Sequence, residues 1–445
     1  MSSRLPHRPR RLRRLVQPLQ EFTRTEAAGG IVLLLAALIA LGWANSPWAD
    51  AYRSLIDLPL TLTLGEFALG GSLRFWVNDA LMVSFFFLVG LEIKRELTVG
   101  ELSTLRTALL PAAAAAGGMV APALAFTMLA SAPGDRGGWA VPMATDIAFA
   151  LGVASLLGPR VPLGLKAFLL ALAIFDDIGA TVVIAVFYGG PLNFGALAVA
   201  LALLGVIAAM ARLRARSVPA YLLVGAAAWL ATYESGVHPA LVGVAIGLLT
   251  PWEAWHPADE FARTVTDVAA DLRAGAEQRA PRIERLLHLR EQLERAIPPL
   301  DRLEQGLNAW VAFLVVPLFA LANAGVDLRG DALAQATASP IAWGVAAGLV
   351  LGKPVGIVLA TWLALRLGAA FPAGVGWRGV VSMGVLAGIG FTVAIFVADL
   401  AYAEEARLAA AKVGIFTASL LSGVAGYLLL RFVGVEVPQP EGRLD

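Results

Sequence analysis

Residues 139–152 read WAVPMATDIAFALG, an apolar stretch with a threonine and an aspartate set into its centre. Gly137, Gly138 and Pro142 precede Asp146, and Thr145 adjoins it. Proline removes a backbone donor and glycine weakens a helix, so the segment is expected to break near its middle. Irregular backbone at membrane depth is tolerated where it lines a cavity. A second stretch of the same kind lies at 385–396, VLAGIGFTVAIF, where Gly384, Gly388 and Gly390 weaken an otherwise apolar span. Two interrupted segments at corresponding places in two halves of a chain are the sequence pointer to an inverted-repeat transporter.

The rest of the chain agrees with a bilayer setting. Of 445 residues 58% are apolar and 15% charged, against about 25% charged in a soluble protein. The mean hydropathy is +0.74. Cysteine is absent, which excludes thiolate metal sites and cysteine nucleophiles. The net charge of +1 hides where the charges sit: 9 fall in residues 1–26 and 19 in 252–304. Nucleic-acid binding is not expected. A basic start before an apolar run resembles a signal peptide, but the run to Ala49 is 23 uncharged residues, longer than an h-region.

A span needs about 20 apolar residues. Counting on that basis gives an all-α polytopic membrane protein of about twelve helices, the seventh and eighth both short, with breaks in the fourth and eleventh. If the Arg-rich N-terminus is cytoplasmic, eleven Lys and Arg of the short loops and helix ends share its side and six lie opposite, Lys412 among them. Both termini are then cytoplasmic. The expected organisation is a basic tail at 1–26, spans 1–8 over 27–251, a charged cytoplasmic loop at 252–304, spans 9–12 over 305–433, and a tail at 434–445. Within the loop, RIERLLHLREQLER (282–295) carries Ile283, Leu286, Leu287 and Leu293 at helical spacing, as a solvated amphipathic helix would.

Four charges fall inside spans: Asp146, Asp176, Asp177 and Lys353. Unpaired, each costs about 2.5–3.5 kcal/mol on insertion scales, so the four together rival a domain's net stability of about 5–15 kcal/mol. They must face a cavity or one another. One Asp–Lys bridge would do as helix glue, but three carboxylates with one ammonium leave net negative charge that glue does not explain. Asp176 and Asp177 are adjacent in LALAIFDDIGA (170–180), about 100° apart around a helix, which suits a cation site better than a symmetric acid pair. Asn78 and Asp79, before an apolar run, read either as a helix cap or as passage-lining residues.

From about Ala27 to about Phe432 the chain resembles the NhaA-type sodium/proton antiporters. The likeness rests on eight motifs in order: GGIVLLLAALIALGWANS, WVNDALMVSFFFLVGLEIKREL, ATDIAFALG, RVPLGLKAFLLALAIFDDIGA, SGVHPALVGV, PLFALANAGV, LGKPVGI and GIGFTVAIF. The resemblance implies that Asp176 and Asp177 form the sodium- and proton-binding centre, that Thr145 and Asp146 lie where two broken helices cross, and that Lys353 pairs with one of the aspartates. It further implies a pH-sensing cluster of Glu92 and Glu96, joined by Arg302 and Glu304, with His238 as an additional candidate. Histidines that some members carry after the matching glutamate are Gln305 and Asn308 here, and a small hydroxyl after GIGFT is Ala394, while Thr392 is kept.

The function so implied is electrogenic, pH-regulated export of sodium or lithium against protons in a bacterial inner membrane. It requires no cofactor and no enzymatic step; the partners are the lipid bilayer and the ions, with a homodimer as one open assembly. A carboxylate that holds either sodium or a proton, but not both, exchanges the two once the site alternates between sides. The rivals are a sodium-coupled organic-solute symporter of similar architecture, an intramembrane aspartyl protease, which would call for a GxGD motif that is missing, and a channel, for which no TVGYG-like filter exists.

Overall fold

The computed structural model describes residues 26–64, 67–215, 217–253, 266, 297–372 and 374–432. The expected N-terminal tail, the amphipathic stretch 282–295 and the C-terminal tail lie outside the described residues. Helix α1 (Glu26–Ala44) is apolar throughout and turns by 119° into α2 (Ala49–Ile56). A two-stranded antiparallel hairpin follows, β1 (Pro59–Leu64) and β2 (Phe67–Ser72), in register from Pro59↔Ser72 to Leu64↔Phe67. The hairpin is a short addition to an otherwise helical chain, which agrees with the expected all-α polytopic class. The alternation PLTLTL is the period-two signal of a strand, and its leucines pass for part of a hydrophobic helix only when the period is ignored.

The remaining elements are helical. They are α3 (Leu73–Thr98), α4 (Leu105–Leu129), a 3₁₀ run (Arg136–Met143) leading to α5 (Ile147–Ser155), α6 (Leu163–Phe187) and α7 (Phe194–Arg212). Next come α8 (Val218–Glu234) and α9 (Ala240–Leu249), then α10 (Pro299–Asn323), α11 (Ala332–Ala338) and α12 (Pro340–Arg366). The chain ends in α13 (Trp377–Ala387), α14 (Phe391–Ala401) and α15 (Glu405–Phe432). Side-chain caps start many of them: Ser72 accepts from the Phe75 amide, Asn193 from Gly195 and Ala196, and Ser217 from Ala220. Among the described residues, eight helices are long and apolar enough to cross a membrane, and up to ten if each of two bent pairs is one span. With α8 at 17 residues and α9 at 10, the two short helices expected between Ser217 and Trp252 are present.

Packing relies on small residues, as it must where lipid removes the hydrophobic drive between helices. A Cβ on Gly117 of α4 would strike the Gly356 carbonyl of α12, and the reverse holds for Gly356. Burial separates two kinds of helix. The span Phe194–Arg212 is the most apolar, at mean hydropathy 2.5, yet only 17% buried, so its leucines and valines point outward. Arg136–Ser155 is the least apolar at 1.2 and 61% buried. The chain is a multi-pass membrane protein built around that polar, buried segment.

Candidate functional site

Both interrupted segments are broken, and the breaks touch. Residues 144–146 leave the helical conformation between the 3₁₀ run and α5, and 388–390 separate α13 from α14 with a bend of 46°. The Asp146 amide donates to the Ile389 carbonyl at 2.7 Å. The Asp146 carboxylate then serves two helix starts at once. Its Oδ1 accepts from the Phe149 amide of α5 at 2.9 Å, and its Oδ2 accepts from the Thr392 amide (3.1 Å) and hydroxyl (2.6 Å) of α14. Two sets of orphan donors at helix N-termini thus share one anion, where the helix dipoles favour negative charge.

Thr145 links this junction to α6. Its hydroxyl has one proton and two acceptors, Asp176 Oδ2 at 2.7 Å and the Ala387 carbonyl at 3.0 Å. Asp176 Oδ2 also takes the Lys353 ammonium at 2.8 Å, both side chains being fully buried. Lys353 reaches the Met143 carbonyl as well, one residue before the first break. It stands where a π-helical turn, Gly348–Gly352, gives way to the rest of α12, and such turns occur often at functional sites. Asp176 Oδ1 is buried with no partner among the described residues.

Asp177 differs from its neighbour. It is buried, yet among the described residues no donor bonds to its carboxylate; it is within electrostatic reach of Glu92, Asp176, Asp146 and Lys353. The structure therefore brings Thr145, Asp146, Asp176, Asp177 and Lys353 together, with Asp177 the carboxylate left open. Among the described residues no group of three or more His, Cys, Asp or Glu could hold a metal ion. A cation at this place would draw on few carboxylates and on neutral oxygens.

The expected pH cluster is only partly assembled. Arg95 and Glu304 form an ion pair at 2.6 Å, Glu304 Oε2 is buried without a partner among the described residues, and Glu92 is within electrostatic reach of Glu304, Arg95 and Glu96. Arg302 is exposed and pairs with no described residue. His238 lies elsewhere. It contacts Asp79 at 3.6 Å, thirteen residues and roughly 20 Å along α3 from Glu92, and packs on Phe396. Burial pushes its pKa down to about 4, and at that separation from the carboxylate burial wins, so the ring is neutral near pH 7.

Asn78 and Asp79 are not the cap of α3, a role Ser72 fills. They sit in a π-helical turn, Trp76–Leu81, where Asn78 exchanges amide hydrogen bonds with Asn323 at 2.7 and 3.2 Å. Lys412 is not a helix-end loop residue; it is buried in α15 and paired with Asp399. The sequence reading passed over that pair because each charge borders an apolar run instead of interrupting one.

Residues 20–430 match the family model described as Na+/H+ antiporter 1. The chain belongs to the NhaA-type family of Na+/H+ antiporters. Proteins named Na+/H+ antiporter NhaA 2 from Sorangium cellulosum and Pseudomonas putida are 47% and 44% identical to it, over 95% of this chain and 92% and 94% of theirs. Na+/H+ antiporter NhaA from an Anaeromyxobacter species is 48% identical over 96% of the chain and 94% of its own length.

Proposed function

We propose that the chain exchanges sodium, or lithium, for protons across a bacterial inner membrane, with Asp177 as the principal sodium ligand. The observation that carries this reading is the contrast inside the aspartate pair: Asp176 is held by Lys353 and Thr145, whereas Asp177 is buried and unbonded among the described residues. Family membership supports the choice of ions, and nothing in the comparisons favours an organic-solute symporter. Sodium must shed water, and a buried anionic oxygen is a hard ligand that replaces it. As sodium reaches Asp177, Lys353 releases its proton, and it recovers one as sodium leaves. Thr145 follows Asp176 by turning its hydroxyl between the carboxylate and the Ala387 carbonyl. The proton that Asp177 holds in the absence of sodium leaves together with that of Lys353, so two protons move against one sodium and the exchange is electrogenic.

The architecture that goes with this reading has twelve spans, reached by adding α8 and α9 to the ten, in inverted repeats whose broken members cross at residues 144–146 and 388–390. The Arg-rich side is cytoplasmic, Glu92, Glu96 and Glu304 form its pH-responsive mouth, and the chain works as a monomer or a homodimer. In inverted vesicles, Asp176→Asn and Asp177→Asn are each expected to abolish sodium-dependent dequenching of a pH dye; full activity in either overturns the site. Replacing Glu92, Glu96 or Glu304 is expected to move the pH profile, and an unmoved profile removes them from its control.

A further inference from the structure

A cavity of about 720 Å³ opens where α10 ends and α15 begins, lined by Arg53, Arg74, Asn323, Glu405, Arg407 and Lys412 among others. Most of its charges are exposed and matched. Arg53 bonds to Asp327 at 2.5 Å, and Asp327 is saturated, since Arg329 bonds to both of its oxygens. Lys412 is the exception. It lines the cavity but is 5% exposed, and its ammonium meets Asp399 Oδ1 of α14 at 2.9 Å. The Asp399 side chain is 12% exposed and does not itself line the cavity, and its buried Oδ2 has no partner among the described residues.

This arrangement repeats the chemistry of Asp176 and Lys353: a carboxylate with one oxygen on a buried ammonium and the other empty. Glue between helices does not require it. A buried ion pair gains little over apolar packing, and an empty carboxylate oxygen adds desolvation without return. Asp399 also lies two turns beyond Thr392 on α14, the half-helix whose start Asp146 caps, about 10 Å along its axis. Lys412 is within electrostatic reach of Glu405, two turns earlier on the same face of α15 and itself lining the cavity.

We propose that Asp399 and Lys412 form a second site for a monovalent cation just beneath the floor of this cavity, with Lys412 between Asp399 and the cavity. Sodium takes the ammonium's place on Asp399, and the ammonium turns toward Glu405 and the cavity with its proton retained. A single carboxylate with water suits sodium or lithium; a divalent ion asks for more oxygens and is repelled by the lysine that stays beside it. Arg74 and Tyr52 are the other ionisable groups within electrostatic reach of the pair. Under the proposed orientation the cavity faces the outside, so the site holds a cation ahead of, or after, its passage past Asp177.

The test is sodium-22 binding to the purified full-length chain. The Asp176→Asn/Asp177→Asn variant is expected to lose the tighter component and keep a weaker one, which disappears on adding Asp399→Asn. In that same background Lys412→Met is expected to tighten the weaker component roughly tenfold, because no ammonium has to be displaced; a purely structural pair would not produce that gain. Should Asp399→Asn fail to fold, Asp399→Asn/Lys412→Met removes both charges together. Residual binding indifferent to Asp399, or no residual binding at all, overturns the second site. An unchanged tighter component in Asp176→Asn/Asp177→Asn would overturn the first site and leave this one standing.

Discussion

The two helix breaks meet face to face but contribute opposite things. The first, residues 144–146, brings side chains: the Thr145 hydroxyl to Asp176 and the Asp146 carboxylate to both half-helices. The second, 388–390, brings backbone: Ile389 offers its carbonyl to Asp146, as Ala387 just before it does to Thr145. Its glycines are not there for unusual dihedrals, since Gly388 has φ −67° and Gly390 φ −89°. They are there for room, because a Cβ on Gly388 would lie 2.6 Å from the Leu349 carbonyl. One break supplies charge and the other supplies the space that lets charge approach.

If that division holds, the first break suffers most when its anion is removed. Asp146→Ala deletes a cap from α5 and another from α14, at about 0.5–2 kcal/mol for a cap and about 1.5–3 for a hydrogen bond to a charged group. A loss of about 2–4 kcal/mol in stability is expected, together with a rise in the sodium concentration for half-maximal exchange. Asp146→Asn, which keeps an acceptor, should retain most of the stability. Thermal melting of the purified variants decides it, and an Ala variant as stable as the parent would end the shared-cap account. The second break is attacked by volume. Gly388→Ala forces Leu349 or Ser422 to shift, at about 1–3 kcal/mol. Ser422→Ala removes the hydroxyl nearest the new methyl, so the double variant should recover part of the loss; no recovery would place the conflict wholly on the Leu349 carbonyl.

This division also explains how much the sequence disclosed. Gly137, Pro142, Gly388 and Gly390 announced both breaks because they act locally on the backbone. Asp146, Asp176, Asp177 and Lys353 stood out because a charge within an apolar run has few explanations. Carbonyl acceptors such as those of Ala387 and Ile389 carry no sequence signal, since every residue has one. The pairing of Lys353 with Asp176 and not Asp177 depends on helix rotation, which adjacency in sequence leaves open. The β1–β2 hairpin is legible in the alternation of PLTLTL, a stretch too short to span and left outside the twelve helices. His238 stands beside Asp79, away from Glu92 along α3, and motifs ordered along the chain do not say at what depth residues face each other.

A smaller effect tests the hydrogen bond that joins the two breaks through a side chain. Thr392→Val removes the hydroxyl that donates to Asp146 at 2.6 Å but leaves the backbone amide at 3.1 Å. A loss of about 1 kcal/mol is expected, and Thr392→Ser should restore it. Equal melting of all three would mean that the amide alone carries the α14 cap.

The smallest expected effect is a dependence on pH that enters through α14. His238 stacks edge-on against Phe396 at 5.2 Å, and burial lowers its pKa to about 4 from an ordinary 6.5. The fold therefore favours the neutral ring. That preference is harmless above pH 6.5, where the unfolded chain is also neutral, and it is lost progressively as pH falls toward 4, because the unfolded chain gains a proton that the fold refuses. Between pH 7 and pH 6 the difference amounts to less than about 1 kcal/mol. Melting midpoints at those two pH values should fall further for the parent chain than for His238→Gln. Equal falls would mean that the ring protonates as readily in the fold as in the unfolded chain, Asp79 at 3.6 Å offsetting burial, and a smaller fall for the parent would mean that Asp79 prevails.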